Sequence, residues 1–462
     1  MVLLPNLERK RKTWEAGVAH ATLDPEGPGA ARMHLVPPKP VLFGDPPSQL
    51  IINGTWFLPV GHSWAAVLRI FFEELHDKCK DKYEISPEEI EQIEKAVVDR
   101  TLKLYPGTDP AMVSGDLKEI VTLAVNIATN GEIPEGTLNG LDMEKYGRYM
   151  SAPHRMDLMV APMTVNGLRA CPLECACCYA ESGSVMDVGE PLSTDAWKMI
   201  MDRCRDAGIP MLTFTGGEPL TRQDIVELVR YAAWFVTRIN TNGFLLTPEL
   251  AGELRDASLD GIQITLYSHD PKIHDELVGR QGAWEKTVTG IKNAVAAGLM
   301  TSINTPLLTK NMDLESTIRF AHALGIRCFG CSSLIPAGGA VEQINTGKAL
   351  TPAELKCILK RAVEVCNELA SDISFTSPGW LSAEEITGLG LPSSPVCGAC
   401  LSNMAVAPNG DVVPCQSWVD GRTLGSIRTQ SWKSIWNSKA CGSIRRNCAT
   451  KPKCALKEGY VL

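Results

Sequence analysis

Cys171-Pro-Leu-Glu-Cys175-Ala-Cys177-Cys178-Tyr179 stands near the middle of the chain, and its spacing decides how the rest is read. The pattern is C-x3-C-x2-C through Cys171, Cys175 and Cys178, followed by an aromatic residue. Zinc sites usually come as two C-x2-C pairs, often with histidines, and this run departs from that form. Three thiolates on one loop can instead hold three corners of a cubic [4Fe–4S] cluster and leave one iron open. An open iron can bind a small molecule and act on it, which separates a reactive cluster from an electron carrier. Cys177 lies inside the run but off its spacing, and is left out of the ligand set.

Outward from this run, the bulk properties set the class. The chain has 462 residues, more than one ordinary core holds, so two or three domains are expected. A formal net charge of -8 argues against a general nucleic-acid binder, and the isolated basic run Arg9-Lys10-Arg11-Lys12 reads as a solvated terminus. No segment approaches the ~20 apolar residues that span a bilayer. The start, Met1-Val2-Leu3-Leu4-Pro5-Asn6, lacks the apolar core of a secretion signal. A cytoplasmic protein without membrane contact is expected. Sixteen cysteines in that setting read as metal ligands where they cluster, and they cluster at 171–178 and 397–454. Cys79, Cys204, Cys328, Cys331, Cys357 and Cys366 are scattered and read as small buried hydrophobes.

Residues 1–150 have their own texture. Gln49-Leu-Ile-Ile-Asn53-Gly54-Thr-Trp-Phe-Leu58 is two apolar runs around Asn-Gly, a hairpin signal, and a further strand is drawn near Val41-Leu42-Phe43. A helix is expected from Ser63 to about Lys80. A second opens with Ser86 as N-cap, Pro87 and Glu89, and a third covers about Asp116 to Thr129. From Asp157 the pattern becomes strand–helix alternation, with strands at 158–164, 211–215, 236–241, 261–267, 301–308 and 326–334. That spacing implies a parallel sheet with right-handed crossovers, in which ligands bind at the carboxyl ends of strands. A helix follows from Thr351 to about Leu369. The last ~70 residues are short turns studded with cysteine, too poor in apolar pattern to fold on packing alone, so a metal cluster would supply stability there.

The second strand of this series ends in Thr215-Gly216-Gly217-Glu218-Pro219. The glycines let a ligand approach the backbone, and the carboxylate can accept hydrogen bonds from an ammonium group. Together with the cysteine run one unit earlier, this resembles the radical SAM superfamily over about 157–335. Thr241-Asn242-Gly243 and Gln263-Ile-Thr265-Leu-Tyr267-Ser268 are similar to that superfamily as well, Thr265 standing where Ser is more usual. The resemblance implies an α/β fold with a partial (β/α)6 TIM-type barrel, an N-terminal α+β domain (1–150), a radical SAM core (151–340), a connecting helical segment (341–390) and a C-terminal iron-sulfur domain (391–462). It implies that Cys171, Cys175 and Cys178 bind a [4Fe–4S] cluster and that Gly216, Gly217, Glu218, Tyr179, Asn242 and Thr265 contact S-adenosylmethionine (SAM). The implied chemistry is reductive cleavage of SAM to methionine and a 5′-deoxyadenosyl radical, which takes a hydrogen atom from an unactivated C–H bond. A reductant such as flavodoxin or ferredoxin is implied as a partner. Tyr179 can equally be read as a core aromatic.

Near the C-terminal end, Cys400 and Cys415 enclose C-x9-G-x4-C, with Asn409-Gly410 as the hairpin that brings them together. This resembles the SPASM extension, which carries auxiliary [4Fe–4S] clusters. The usual downstream C-x2-C-x5-C-x3-C is replaced by Cys441-x6-Cys448-x5-Cys454. Two fully cysteine-ligated clusters need eight thiolates and this tail has six, so one auxiliary cluster is expected on Cys397, Cys400, Cys415 and Cys454, with Cys448 as the alternative fourth ligand. Zinc is the competing reading of this tail.

SPASM-type enzymes mostly modify peptides or proteins. In the sulfatase-maturing branch an aspartate follows the cysteine that matches Cys415. Here it is Gln416, which counts against that branch. The expected activity is modification of a ribosomally made peptide by crosslink, thioether or epimerisation. The substrate is expected to be a leader-bearing precursor. Residues 40–130 fit either a peptide recognition element, gripping the leader by strand addition, or a helical cap. Cys328 and Cys331 lie on strand six, where a thiol such as Cys331 could donate a hydrogen atom to a substrate radical. His154 and His274 are read as structural. The competing functions are oxidation or rearrangement of a small molecule such as an amino sugar, and a non-catalytic electron carrier.

Overall fold

The turn at Asn53-Gly54 has both residues at positive φ, +49° and +63°, the twist a two-stranded hairpin needs. It joins strands that belong to the first of two compact units, Met1–Ser151 and Ala152–Leu462. The computed structural model describes residues 17–23, 31–39, 46–54, 56–78, 85–130, 146–181, 183–391, 397–450, 453–454 and 456. The strand drawn at Val41–Phe43 and the cysteine at position 79 lie outside the described residues.

In the first unit, β1 (Ala19–Leu23), β2 (Ala31–Val36), β3 (Ser48–Ile52) and β4 (Trp56–Val60) form an antiparallel sheet in chain order. The helices α1 (His62–Lys78), α2 (Pro87–Leu104) and α3 (Pro110–Asn130) follow. The cap signal before α2 is realised in full: Glu89 N–H donates to Ser86 Oγ at 3.3 Å, and Ser86 N–H to Glu89 Oε2 at 3.0 Å. α3 starts earlier than its apolar pattern suggests, because Asp109 accepts from Ala111 N–H at 2.9 Å and Pro110 occupies the first turn. Met33, Leu50, Leu68, Phe72, Val97 and Ile127 close a core between sheet and helices. Cutting fully buried Leu50 back to Ala costs roughly 2–5 kcal/mol by the cavity it leaves.

The second unit is built on a ten-stranded sheet. Its frame is β5 (Arg155–Ala161), then, past a small three-stranded sheet of β6 (Thr164–Val165), β7 (Leu168–Arg169) and β8 (Asp187–Val188), alternating helices and strands. These are α4 (Thr194–Asp206), β9 (Met211–Gly216), α5 (Ile225–Tyr231), β10 (Val236–Thr241), α6 (Pro248–Asp256), β11 (Gly261–Thr265), α7 (Pro271–Leu277), α8 (Ala283–Ala296), β12 (Thr301–Pro306), α9 (Leu314–Ala323) and β13 (Cys328–Ser332). All six expected strands are present, and each neighbouring pair is parallel. The sheet goes further than expected. After α10 (Ala340–Asn345) and α11 (Pro352–Glu368), a seventh parallel strand β14 (Asp372–Phe375) pairs with β13.

After α12 (Ala383–Gly388), the cysteine-rich end is more regular than its composition suggests. β15 (Asn403–Val406) pairs parallel to β5, and β16 (Asp411–Val413) and β17 (Gly425–Ser426) continue the sheet. α13 (Trp432–Trp436) and α14 (Lys439–Thr450) complete it. Met404, Ala405 and Val406 are fully buried, so a four-residue strand suffices where an existing sheet offers an edge.

Burial alternates along β10 to β13. Ile239, Ile262, Ile264, Ile303, Phe329 and Cys331 are buried, whereas Arg238, Asn240, Gln263, Thr265, Ser302, Asn304, Cys328 and Ser332 are half-buried on the other face. That polar face can hold water or a polar ligand. Among the described residues no helix is long and apolar enough to cross a membrane.

Candidate active site

Backbone bonds fix the cysteine loop after β5. Glu174 N–H donates to the Val278 carbonyl at 2.9 Å and Ala176 N–H to that of Leu277 at 2.8 Å, laying the loop on the end of α7. Arg169 Nη1 and Arg280 Nη1 donate to the Leu173 and Pro172 carbonyls at 3.0 and 2.8 Å. On the other side Gly339 N–H donates to the Cys178 carbonyl at 2.9 Å. Gly338 has φ +54°, and a Cβ there would stand 2.3 Å from the same oxygen. The glycine pair after β13 thus buttresses the loop. Two glycines just beyond a strand end are the sequence signal for it, and the sequence reading passed over them.

Cys171 is buried, and Cys175 and Cys178 are half-buried. Burial pushes Cys171 up to about 12. It also holds Cys175 well above, and Cys178 above, the ordinary thiol value; at Cys175 the charges of Cys178, Cys171 and Cys177 add to the effect. Thiols that raise one another's pKa are relieved by a bound cationic centre, which takes them as thiolates. Asn242 Nδ2 lies 3.9 Å from Cys171 Sγ, an amide donor aimed at sulfur of the kind that tunes iron-sulfur centres. Among the described residues no three His, Cys, Asp or Glu side chains converge on a single metal ion. The donor set fits a cubane by its chemistry: three thiols on one loop, held there by backbone bonds, with an amide donor beside one of them.

The Gly-Gly-Glu run also has a structural role of its own. Gly216 has φ +128°, and a Cβ there would stand 2.1 Å from the Ala161 carbonyl oxygen; at Gly217 it would stand 2.6 Å from that of Pro162. The close approach these glycines permit is that of β5 itself. Glu218 is fully buried. Its Oε1 accepts from Leu220 N–H at 3.0 Å and Thr241 Oγ1 at 2.7 Å, and its Oε2 from Asn242 N–H at 2.8 Å. Burial raises its pKa, and the three donors oppose that rise. Glu218 therefore clamps the end of β9 to the end of β10, which also sets Asn242 beside Cys171.

Tyr179 is half-buried, its hydroxyl 3.4 Å from Thr215 Oγ1. Thr265 is half-buried on the polar face of the sheet. Two residues on, the Tyr267 hydroxyl lies 3.2 Å from Cys177 Sγ, giving that off-pattern cysteine a protein partner. His274 Nδ1 accepts from Tyr267 N–H at 3.3 Å, and burial holds both His274 and His154 down to about 4, as neutral structural groups. Cys331 is fully buried, with Sγ 3.6 Å from the Ser374 carbonyl and beside Cys366 of α11. It lies among core side chains on the helix side of the sheet, whereas Cys328 lies on the polar face.

At the C-terminal end Asn409-Gly410 forms the expected hairpin, with Gly410 at φ +91° and Cys400 N–H donating to the Pro414 carbonyl at 3.1 Å. Cys397, Cys415 and Cys454 line one cleft with Gln416, Trp380 and the chain after β13 and β14. Burial first, then the neighbouring Cys397 and Cys454 charges, push Cys415 upward. Gln416 Oε1 is buried there without a protein partner. Cys400 is fully buried, and on top of burial the Cys441 thiol first, then Cys448 and Cys415, hold its pKa well above the ordinary thiol value. The sequence-based set of Cys397, Cys400, Cys415 and Cys454 has no place for Cys441. Its signal was helical spacing, since positions 441 and 448 share one face of α14.

Residues 165–321 match the family model of the Radical SAM superfamily, and residues 397–456 that of an iron-sulfur cluster-binding domain, SPASM. The chain is 30% identical over 305 residues to the AdoMet-dependent heme synthase of Methanosarcina barkeri, covering 62% of this chain and 85% of that protein. It is 28% identical over 291 residues to the PqqA peptide cyclase of Ruegeria pomeroyi, covering 61% and 75%. The crystal structure of Streptococcus suis SuiB bound to precursor peptide SuiA is similar in fold, with a TM-score of 0.57 at 16% identity over 86% of this chain and 87% of that one.

Proposed function

From the premise that this chain belongs to the radical SAM superfamily and carries a SPASM domain, we propose that it modifies a ribosomally made peptide, forming a crosslink or thioether or epimerising a residue. Domains of these two kinds bind [4Fe–4S] clusters and SAM. When bound, they supply a 5′-deoxyadenosyl radical. In this reading Cys171, Cys175 and Cys178 hold three irons, and the loop's backbone bonds to α7 and to Gly339 keep them in place. Glu218 fixes the strand ends on which Gly216, Gly217, Asn242 and Thr265 meet SAM, and half-buried Tyr179 joins them from beside Thr215. Gln416 offers an acceptor for a substrate N–H in the cleft that Cys397, Cys415 and Cys454 line. A reductant such as flavodoxin or ferredoxin supplies the electron.

The observation that carries the peptide reading is the first unit, a four-stranded antiparallel sheet followed by three helices among the described residues. Among the described residues β1 pairs with β2 and β4 with β3, the arrangement of a sheet on which strand addition is the mode of peptide capture. Residues 152–462 are about two thirds of the chain. The 86% match to SuiB therefore extends beyond them, whereas the 62% match to the heme synthase does not need to. The peptide cyclase similarity supports the same substrate class.

The heme synthase similarity favours a second reading, oxidation or rearrangement of a small molecule. One experiment separates them. Anaerobically reconstituted protein, SAM and dithionite are incubated with synthetic peptides from short open reading frames beside the gene, and in parallel with tetrapyrrole precursors. We expect 5′-deoxyadenosine formation and a mass change in a peptide. Consumption of a tetrapyrrole with every peptide unchanged would favour the second reading.

A further inference from the structure

We propose that Tyr267 is a positioning residue for the iron site: its hydroxyl engages the Cys177 thiol and so withholds that fourth cysteine of the run from iron, which leaves one corner of the cluster open. This rests on the reading that Cys171, Cys175 and Cys178 hold a cubane, and adds how a chain with a surplus thiol keeps that cubane open.

The sequence sets the need for such a device. Four cysteines stand within residues 171–178, and three suffice for a cubane that binds a small molecule at its remaining iron. Thiolate is a favoured ligand of iron-sulfur clusters. Cys177 is adjacent to Cys178 and two residues from Cys175, so without a partner of its own it competes with SAM for the open iron. The structure supplies the partner, with Cys177 Sγ 3.2 Å from the Tyr267 hydroxyl. Tyr267 is only 4% exposed and is held by groups outside the loop. Its N–H donates to His274 Nδ1 at 3.3 Å, its carbonyl accepts from Asn311 Nδ2 at 2.8 Å, and its ring meets the His274 ring edge-on at 6.1 Å. A phenol fixed in this way loses little further freedom when it binds a thiol. The loop is tied to the same helix. His274 belongs to α7, and the carbonyls of Leu277 and Val278 at its end take the N–H groups of Ala176 and Glu174. Past Cys177, the Cys178 N–H donates to the Cys175 carbonyl at 3.1 Å and the Cys178 carbonyl accepts from Gly339 N–H at 2.9 Å. The backbone is therefore bound on both sides of Cys177, and the side chain between them meets Tyr267.

The test compares Y267F, C177A and the double variant Y267F/C177A with wild type, each as the full chain reconstituted anaerobically with iron and sulfide. Two readouts are taken besides turnover: binding of radiolabelled SAM by equilibrium dialysis, and the EPR spectrum of the dithionite-reduced protein with and without SAM. In wild type and C177A, SAM should bind and change the spectrum. In Y267F the iron content should hold, while SAM binds roughly tenfold or more weakly and its spectral change is lost. The double variant should regain both. That rescue decides the matter, because a Tyr267 needed only for packing leaves the double variant as damaged as Y267F. A Y267F protein that binds SAM like wild type, a double variant without rescue, or a C177A protein that loses iron overturns the proposal. The radical SAM reading is judged by other outcomes. Wild type without a SAM-dependent spectral change, or C171A that keeps one, would remove that reading and the proposal with it.

Discussion

Glu218 shows how far a single residue can be read. Its sequence context made it a partner for an ammonium group, and the structure surrounds it with three protein donors. Those donors lie on its own turn and on the end of the next strand, which local sequence does not pair. In E218Q the amide NH2 meets at least one of these donors head-on, and we expect a loss of roughly 1–3 kcal/mol, read as a lower urea midpoint at unchanged slope. The cysteine triad was legible because its spacing is local, whereas the Cys177–Tyr267 contact joins residues from different elements and was not. His274 gives the residue scale its pH dependence. Burial holds it down to about 4 against an ordinary 6.5, so between those values the unfolded chain binds a proton that the folded one refuses. Stability is then complete above pH 6.5 and falls as the pH drops toward 4, by roughly 3 kcal/mol in all. In H274N, whose amide oxygen can still accept from Tyr267 N–H, that dependence should disappear. The difference in unfolding free energy between wild type and H274N from pH 7 to 4 measures it, and a flat difference refutes the assignment.

At the scale of elements, the six parallel strands were readable because each is followed by an amphipathic helix that repeats the unit. β14 and β15 were not, since four residues with mixed polarity carry little periodic signal and become strands only beside a neighbour already in place. The turn after β13 is the element whose role is most open to test. G338A places a methyl group 2.3 Å from the Cys178 carbonyl oxygen at a left-handed position. We expect it to shift the cysteine loop and lower both the iron bound there and the rate of SAM cleavage by tenfold or more. Gly347 has a similar φ of +73° with open space around it, so G347A bears only the backbone cost of about 1–2 kcal/mol and keeps its iron. Equal effects of the two substitutions on iron content would remove the buttress role.

Across the whole molecule, the first unit and the C-terminal segment of the second draw on different sources of stability. The first has an apolar core of its own around Leu50 and Phe72. Residues 397–456 have short strands and match an iron-sulfur cluster-binding domain, so bound metal would supply part of their stability. Chelation of iron under anaerobic conditions should therefore raise hydrogen exchange first in 397–454 and leave β2, β3 and α1 protected. Uniform loss of protection would show that the units do not melt separately. The pairing of β15 with β5 also has a consequence for how the chain is made. β5 gains its β9 neighbour soon after it leaves the ribosome, but its other edge waits for residues 403–406. At ordinary rates of synthesis that interval is on the order of ten to fifty seconds. For that time a strand of buried residues keeps one edge unpaired, next to the loop that must receive iron. Expression at lower temperature, with chaperones and iron-sulfur assembly factors supplied together, should raise the yield of loaded protein more than either measure alone.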